Sequence, residues 1–505
     1  MSRRSTAQSR RSTAHDGWKP SWHFFAAVIT LGSMQLMVMM DSTITTIALP
    51  RIQGDLNLTD SGRSWVFIAP LLTFSGLMLL GGRVGDAIGR KRAFTVGAWV
   101  FTLSSVVCGI AWNAPMLIAA RLMQGVALAI LAPTCMALVA TTFPKGPQRN
   151  AAMGFLGAAA GLGSIAGLAV GGVLAQLSWR LVFWALVPIG LLALHLSRSA
   201  LRETEKERLK LDTPGAILAT VVCSAAFYGA TMGPEKGWSS VSVLVPVAIA
   251  AMGFVAFVVV ERTAENPIVP FDLFFERSRV ATFTAMFLSS GVTLALTVVV
   301  AVYVQDVMGY SAVRAGLGFI PFAIATALGV AASSQLVMRF SPRTLVIIGA
   351  ALVLGAMLYG STLNSGVPYA PNLVVPIVAA GVGLGLINVP LSLSVIASVG
   401  VDRIGPTSAI ALMLAGLGGP LVLAAVQALI TARTLQMGGI TGSARFMDAA
   451  QLYALDRGYS FGLLVLGAFV VLLGAVALLI GYSAQQVAHA AEVKKAIDAG
   501  EIPGL

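Results

Sequence analysis

The chain carries little charge. Asp, Glu, Lys and Arg make up 11% of its 505 residues, while 57% are hydrophobic; an ordinary soluble domain has roughly 25% charged residues. That scarcity excludes a soluble enzyme. Cysteine is rare as well: Cys108, Cys135 and Cys223 all lie in apolar runs. Three thiols without metal-ligand spacing exclude a disulfide framework and a zinc site, and read as buried free cysteines. The 4 histidines are scattered, so metal catalysis has no support and no cofactor is expected. There is no phosphate loop of the Walker type, which argues against direct ATP drive and for an ion gradient. The absence of any sizeable polar region argues against a membrane sensor. A net charge of +12 would suggest nucleic acid in a soluble protein. Here the charges sit in short segments between apolar runs, so membrane topology explains them better and no nucleic-acid partner is expected.

Long apolar runs are what the chain does have. The first, Phe24 to Leu49, is too long for a signal peptide and lacks a cleavage pattern. Further runs fall near 65–82, 93–112, 116–140, 150–174, 180–197, 213–231, 241–260, 280–304, 314–337, 344–362, 373–396, 405–432 and 458–482. The expected fold class is therefore an all-α polytopic membrane protein with fourteen spans. An even number places both termini on one side. If the N-terminus is cytoplasmic, 24 of the 33 Lys and Arg residues fall in cytoplasmic segments and 8 in outer loops and helix ends, Arg63 and Arg457 among the latter. The positive-inside rule then puts both termini in the cytoplasm of a protein of the cell membrane.

The spans group as six, two and six. A basic, disordered cytoplasmic tail is expected at 1–23, a first six-helix half at 24–197 and a charged cytoplasmic linker at 198–212. Two extra spans at 213–260 and a second linker at 261–279 lead to a second half at 280–482, with an outer loop at 433–457, and a cytoplasmic tail at 483–505. A weak repeat supports the pairing of halves: Gly82–Arg92 follows the second span and Ser334–Arg343 the tenth, and both end in basic residues. Paired halves of this kind mark transporters.

Ionisable residues inside a span are costly and are usually functional. Asp41 is the one acidic residue well inside a span, and Arg121 the one basic residue. Their depths, about 12 and 8 Å from the outer helix ends at 1.5 Å per residue, are close enough for them to meet, directly or through Gln124 or water. Burial disfavours the charged carboxylate and a nearby guanidinium favours it, so moving one relative to the other would load or release a proton; a permanent ion pair locking two helices is the alternative. Gln35, Asn388 and Gln427 are candidates for a polar cavity wall, or for hydrogen bonds between helices. The run Gly82-Arg83-Val84-Gly85-Asp86-Ala87-Ile88-Gly89-Arg90-Lys91-Arg92 allows a tight turn. In it Asp86 could cap the next helix and pair with Arg90 as a cytoplasmic latch; simple positive-inside anchoring is the alternative. Gly163, Gly167 and Gly171, with Gly172 beside the last, form a small-residue face on the fifth span. Such a face lets helices approach closely, either as a seam between moving halves or as static packing.

These motifs together resemble the major facilitator superfamily, in its fourteen-helix drug:proton antiporter branch. Gly82, Asp86, Gly89, Arg90 and Lys91 are similar to its cytoplasmic-loop motif, which gates in the family. Asp41-Ser-Thr with Ala48-Leu49-Pro50 resembles the first-helix motif, and Arg121-Leu-Met-Gln124-Gly125 the fourth-helix motif, whose Arg the family links to proton coupling. Tyr303-Val-Gln305-Asp-Val-Met-Gly309-Tyr310-Ser311 with Ala315-Gly316-Leu317 and Pro321 is also branch-like. Two positions depart: Leu168 stands where the fifth-helix motif carries Pro, and Leu186 where Asn is common. Ala140–Gly146, Gly233–Trp238, Glu261–Pro267 and Gln486–Ala490 look most like the EfpA-type mycobacterial efflux group. The resemblance implies two six-helix halves with two extra helices between them. It also implies export of lipophilic, often cationic, drugs or dyes in exchange for protons. The alternative on the same scaffold is a lipid transporter or flippase, with drugs as secondary cargo.

Overall fold

The computed structural model describes residues 22–143, 147–203, 213–263, 271–363, 367–400 and 403–499. Among them the chain is helical throughout, with no strand. The first half comprises α1 (Trp22–Asp55), α2 (Asp60–Ile88), α3 (Arg90–Gly109), α4 (Ala114–Thr142), α5 (Pro147–Leu177), α6 (Trp179–Trp184) and α7 (Leu186–Ala200). A hairpin of α8 (Thr213–Lys236) and α9 (Val241–Thr263) follows. The second half comprises α10 (Arg277–Asp306), α11 (Ala312–Gly318), α12 (Ile320–Leu336), α13 (Pro342–Gly360), α14 (Val374–Ala397), α15 (Ile404–Gln436) and α16 (Ala449–Ala477). A last helix, α17 (Ala484–Ala499), packs beside α14. Short α6 and α7 together make one span, as do α11 and α12.

Among the described residues, thirteen helices are long and apolar enough to cross a bilayer. The expected fourteen requires counting α2 as well. Its 29 residues suffice, and its stretch 64–81 carries no charged residue. Helices α1, α2, α4, α5, α10 and α15 begin earlier and end later than the apolar runs. Where a loop was expected at 433–457, α15 continues to Gln436 and α16 begins at Ala449, under a capping box of Asp448 and Gln451. The connection is therefore 437–448. Of the expected tails and linkers, 1–21, 204–212, 264–270 and 500–505 lie outside the described residues.

The extra hairpin sits on one side of the bundle. Helix α8 touches both α2 and α15, one from each half. Ser61 Oγ donates to Thr231 Oγ1 at 3.1 Å, and Trp65 meets the Phe227 ring edge-on at 5.0 Å between centroids. Cys223 packs against Met413 and Leu417 of α15. The hairpin thus covers the seam between the halves on this side. Helix α9 packs on α8 and is otherwise exposed along Leu244, Met252, Val255 and Val259, as suits a helix facing lipid.

The glycine face of α5 turns out to seat α1, within the first half. A Cβ at Gly163 would strike the Leu36 carbonyl, one at Gly167 the Thr43 side chain and Met40 carbonyl, and one at Gly171 Ile44. Gly172 alone of the four faces the second half, against Val313 of α11; nearby, Gly316 packs on the carbonyl of Leu168. The stripe is therefore mainly packing inside one half, and the contact between halves is confined to its end. Over Gly157 there is open space within 4 Å. Gly167→Val should accordingly cost about 1–3 kcal/mol by overpacking and lower the unfolding temperature of detergent-purified protein. Gly157→Val should leave it near wild type.

Candidate functional site

Two buried polar clusters lie at different depths of the bundle. The deeper one is centred on Arg121. Its side chain is 1% exposed and that of Asp41 is 4% exposed. Arg121 Nη1 donates to Asp41 Oδ1 and Oδ2 at 2.8 and 2.9 Å and to Gln124 Oε1 at 2.8 Å. Gln124 Nε2 in turn donates to Ser105 Oγ at 2.9 Å, and the guanidinium lies 5.6 Å from the centre of the Phe183 ring. Asp41 and Arg121 therefore meet directly, with Gln124 as a third partner. Cys108 and Cys135 are buried free thiols, and Cys108 Sγ is 3.7 Å from Gln124 Oε1.

Arg121 has one more bond, with a cause in the sequence. Its Nε donates to the carbonyl of Val66 on α2 at 3.0 Å. In a regular helix that carbonyl would accept the amide four residues on, but that residue is Pro70, which has no N–H. Pro70 frees a buried acceptor, and Arg121 satisfies it. Helix α4 can come this close because Gly125 lies against Thr73 and the Pro70 carbonyl, where any Cβ would collide.

Asp41 and Arg121 line a cavity of ≈ 660 Å³. Its wall is otherwise mostly apolar and polarisable, with Met34, Met39, Met78, Met136, Phe67 and Phe74, and Gln35 and Ser42 add polar atoms. Ser408 and Leu412 of α15 complete it from the second half. The cavity runs from mid-bundle towards the end where α2 turns into α3 at Gly89. Lining residues near that end are exposed (Met136 46%, Leu412 52%), whereas Phe67 is buried. Of the other polar candidates, Gln427 is buried with Nε2 unpaired, and Asn388 is exposed on α14; neither lines this cavity.

The second cluster closes the opposite end. Arg63 of α2 is 5% exposed. Its Nη1 donates to Gln53 Oε1 of α1 at 2.7 Å and to Asp306 Oδ2 of α10 at 3.1 Å. Its Nη2 reaches Tyr459 Oη of α16 at 3.4 Å and Asp60 Oδ1 at 3.8 Å. Tyr303 donates to Asp456 Oδ1 at 2.8 Å and packs edge-on to Tyr459. Arg63 thus ties α1 and α2 to α10 and α16, that is, one half to the other. Beyond it lies a separate cavity of ≈ 360 Å³ lined by Arg51, Gln305, Asp306, Tyr310 and Ser443 among others. Sequence reasoning missed this cluster because it began the second and last spans after Arg63 and after Asp456. The available signal was that Gln53, Asp60, Arg63, Asp306 and Asp456 all fall near span ends on the same side.

The glycine-rich turn is held by the end of α7 and the residues just after it. Gly89 has φ +99°, open to glycine at little cost, and a Cβ there would also meet the Glu203 carboxylate. Glu203 Oε1 accepts the Lys91 amide at 3.1 Å, at the start of α3, and its Oε2 is 3.6 Å from Arg92 Nε. Lys91 Nζ donates to the Arg198 carbonyl at 2.9 Å. Gly82 lies near Pro133 of α4. The side chain of Asp86, and with it the expected pairing to Arg90, lies outside the described residues.

A sequence model of the Major Facilitator Superfamily matches residues 31–423. The chain is 58% identical over 498 residues to the uncharacterized MFS-type transporter EfpA of Mycobacterium tuberculosis, covering 98% of this chain and 94% of that one. It is 33% identical over 450 residues to the puromycin resistance protein of Streptomyces alboniger, covering 87% and 89%. Among solved structures, a bacterial homologue of the human lysosomal transporter Spinster, crystallised inward-facing and unoccupied, superposes with a TM-score of 0.64 at 18% identity, over 94% of this chain and 99% of that one.

Removing one member of the Asp41–Arg121 pair strands the other in an apolar interior. Asp41→Ala should therefore destabilise the protein by about 3 kcal/mol, read as a fall in unfolding temperature. Adding Arg121→Leu to it should recover part of that loss.

Proposed function

The chain belongs to the Major Facilitator Superfamily, and on that premise we propose that it exports lipophilic, often cationic, drugs or dyes across the cell membrane in exchange for protons. The observation that carries the reading is the Asp41–Arg121 pair in the wall of the cavity. A carboxylate in a cavity wall can take up a proton or pair with a cation, and Arg121 is its partner while the cavity is empty. Substrate that displaces Arg121, or that itself brings positive charge to Asp41, changes the proton's affinity. Binding of cargo and loss of a proton are then linked. With the termini cytoplasmic, as the distribution of Lys and Arg favours, the cavity faces the cytoplasm and the Arg63 cluster closes the outer side. That is the state in which an exporter loads.

The lining supports an adaptable site. Methionine is flexible and polarisable, and it serves surfaces that accept many shapes. Efflux relatives such as the puromycin resistance protein support a small-molecule cargo. A second reading, lipid export, is favoured by one feature: Asp41 and Arg121 neutralise each other, so the cavity presents no net charge to its cargo.

The test is dye transport in proteoliposomes under an imposed pH gradient, wild type beside Asp41→Asn. Gradient-dependent dye movement that Asp41→Asn loses, in folded protein, is the expected result. Wild-type transport by Asp41→Asn would refute the coupling role. Lack of any dye movement in folded wild type, with movement of labelled lipid, would favour the second reading.

A further inference from the structure

Two prolines in this bundle free a carbonyl that a neighbouring helix then takes. On α14, Pro390 frees Leu386, whose carbonyl accepts from Ser333 Oγ of α12 at 3.0 Å. On α2, Pro70 frees Val66, whose carbonyl accepts from Arg121 of α4. The first taker is a neutral hydroxyl with nothing to switch it. The second is the guanidinium paired with Asp41. Val66 sits three residues after Arg63 on the same helix, so the group that binds the Asp41 carboxylate also grips α2 within one turn of the residue that ties the halves together.

We propose that Pro70 is a positioning residue for coupling: by freeing the Val66 carbonyl it makes Arg121 the mechanical link between Asp41 and the Arg63 closure. While Asp41 is charged, Arg121 is held by both Asp41 oxygens, and its Nε fixes α2 where Arg63 reaches Asp306 and Tyr459. When Asp41 is neutralised, by a proton or by cargo, the guanidinium has lost its counter-charge, and the water-filled cavity offers it solvation. It leaves the Val66 carbonyl, α2 is released at its proline, and the closure loosens. The empty, charged carrier is thus locked and the loaded one is free to open. The inference rests on the exporter reading for its biological meaning, but its physical content is a coupling between two sites through one helix.

The test is a double-mutant cycle read as a distance. Spin labels go on Leu177→Cys in the first half and Phe446→Cys in the second, both exposed near the closed end (73% and 70%). Cys223→Ser removes the thiol that is not fully buried. Asp41→Asn stands for the neutralised carboxyl. In the Pro70 background it should shift the distance distribution to longer values. In Pro70→Ala the restored amide satisfies Val66 within α2, and Asp41→Asn should no longer shift the distribution. Arg63→Gln should lengthen the distance in both backgrounds, and Asp306→Asn breaks the same bond from the other half should Arg63→Gln fold poorly. An equal shift from Asp41→Asn with Pro70→Ala, or no shift with Pro70 intact, would overturn the proposal. Neither substrate nor gradient is needed, so failure of dye transport would count against the exporter reading and leave this result standing.

Discussion

A charge pair in an apolar bundle must have all its partners at hand. Asp41 and Arg121 are buried inside the bundle, where an unpaired carboxylate or guanidinium costs several kcal/mol, and the surrounding structure meets that demand. Gln124 accepts a hydrogen bond from the guanidinium through Oε1 and donates one to Ser105 through Nε2. The Phe183 ring faces its charge. Pro70 exposes a carbonyl for Nε, and Gly125 lets α4 approach closely enough to use it. What remains on the other side of Asp41 is the cavity. The pair is thus fully satisfied with the site empty, and any cargo or proton that enters has to compete with an existing bond.

The two ends of the bundle are built differently. At the Gly89 end the halves leave a cavity whose wall reaches Asp41. At the other end Arg63 binds groups from three further helices, and Gly172 and Gly316 bring α5 and α11 into backbone contact. A guanidinium with carboxylates on both sides makes a closure that is directional and breakable. Replacement by packed apolar side chains would be as stable or more so, but would give a conformational cycle nothing to release. The hairpin of α8 and α9 covers the seam between the halves on the α2–α15 side, so the cavity is walled from lipid there.

Much of this was legible in the sequence, for definite reasons. Asp41 and Arg121 stood out because an ionisable residue inside an apolar run has few structural explanations, and their matching depth pointed to the pair. Gly163, Gly167 and Gly171 announced a close contact, but a helix face does not say which helix covers it, and the neighbour is α1 within the same half. Arg63, Asp60 and Asp456 were hidden because a hydropathy run stops where polar residues begin, whereas the helix continues and buries them against polar groups on other helices. Pro70 looked like an ordinary kink. Its meaning lies in the freed Val66 carbonyl, and that depends on which side chain of α4 lies alongside, a fact of packing that spacing along one helix does not contain.

The central claim is that Asp41 exchanges its proton for cargo. The most direct measurement is the proton released when a lipophilic cation binds to purified protein in weak buffer, started at a series of pH values that extends low enough to protonate Asp41 in the empty protein. The account predicts release of up to about one proton per protein, depending on pH, from wild type and none from Asp41→Asn that still binds the cation. Binding without proton release across the titration range in wild type, or equal release from Asp41→Asn, would contradict it.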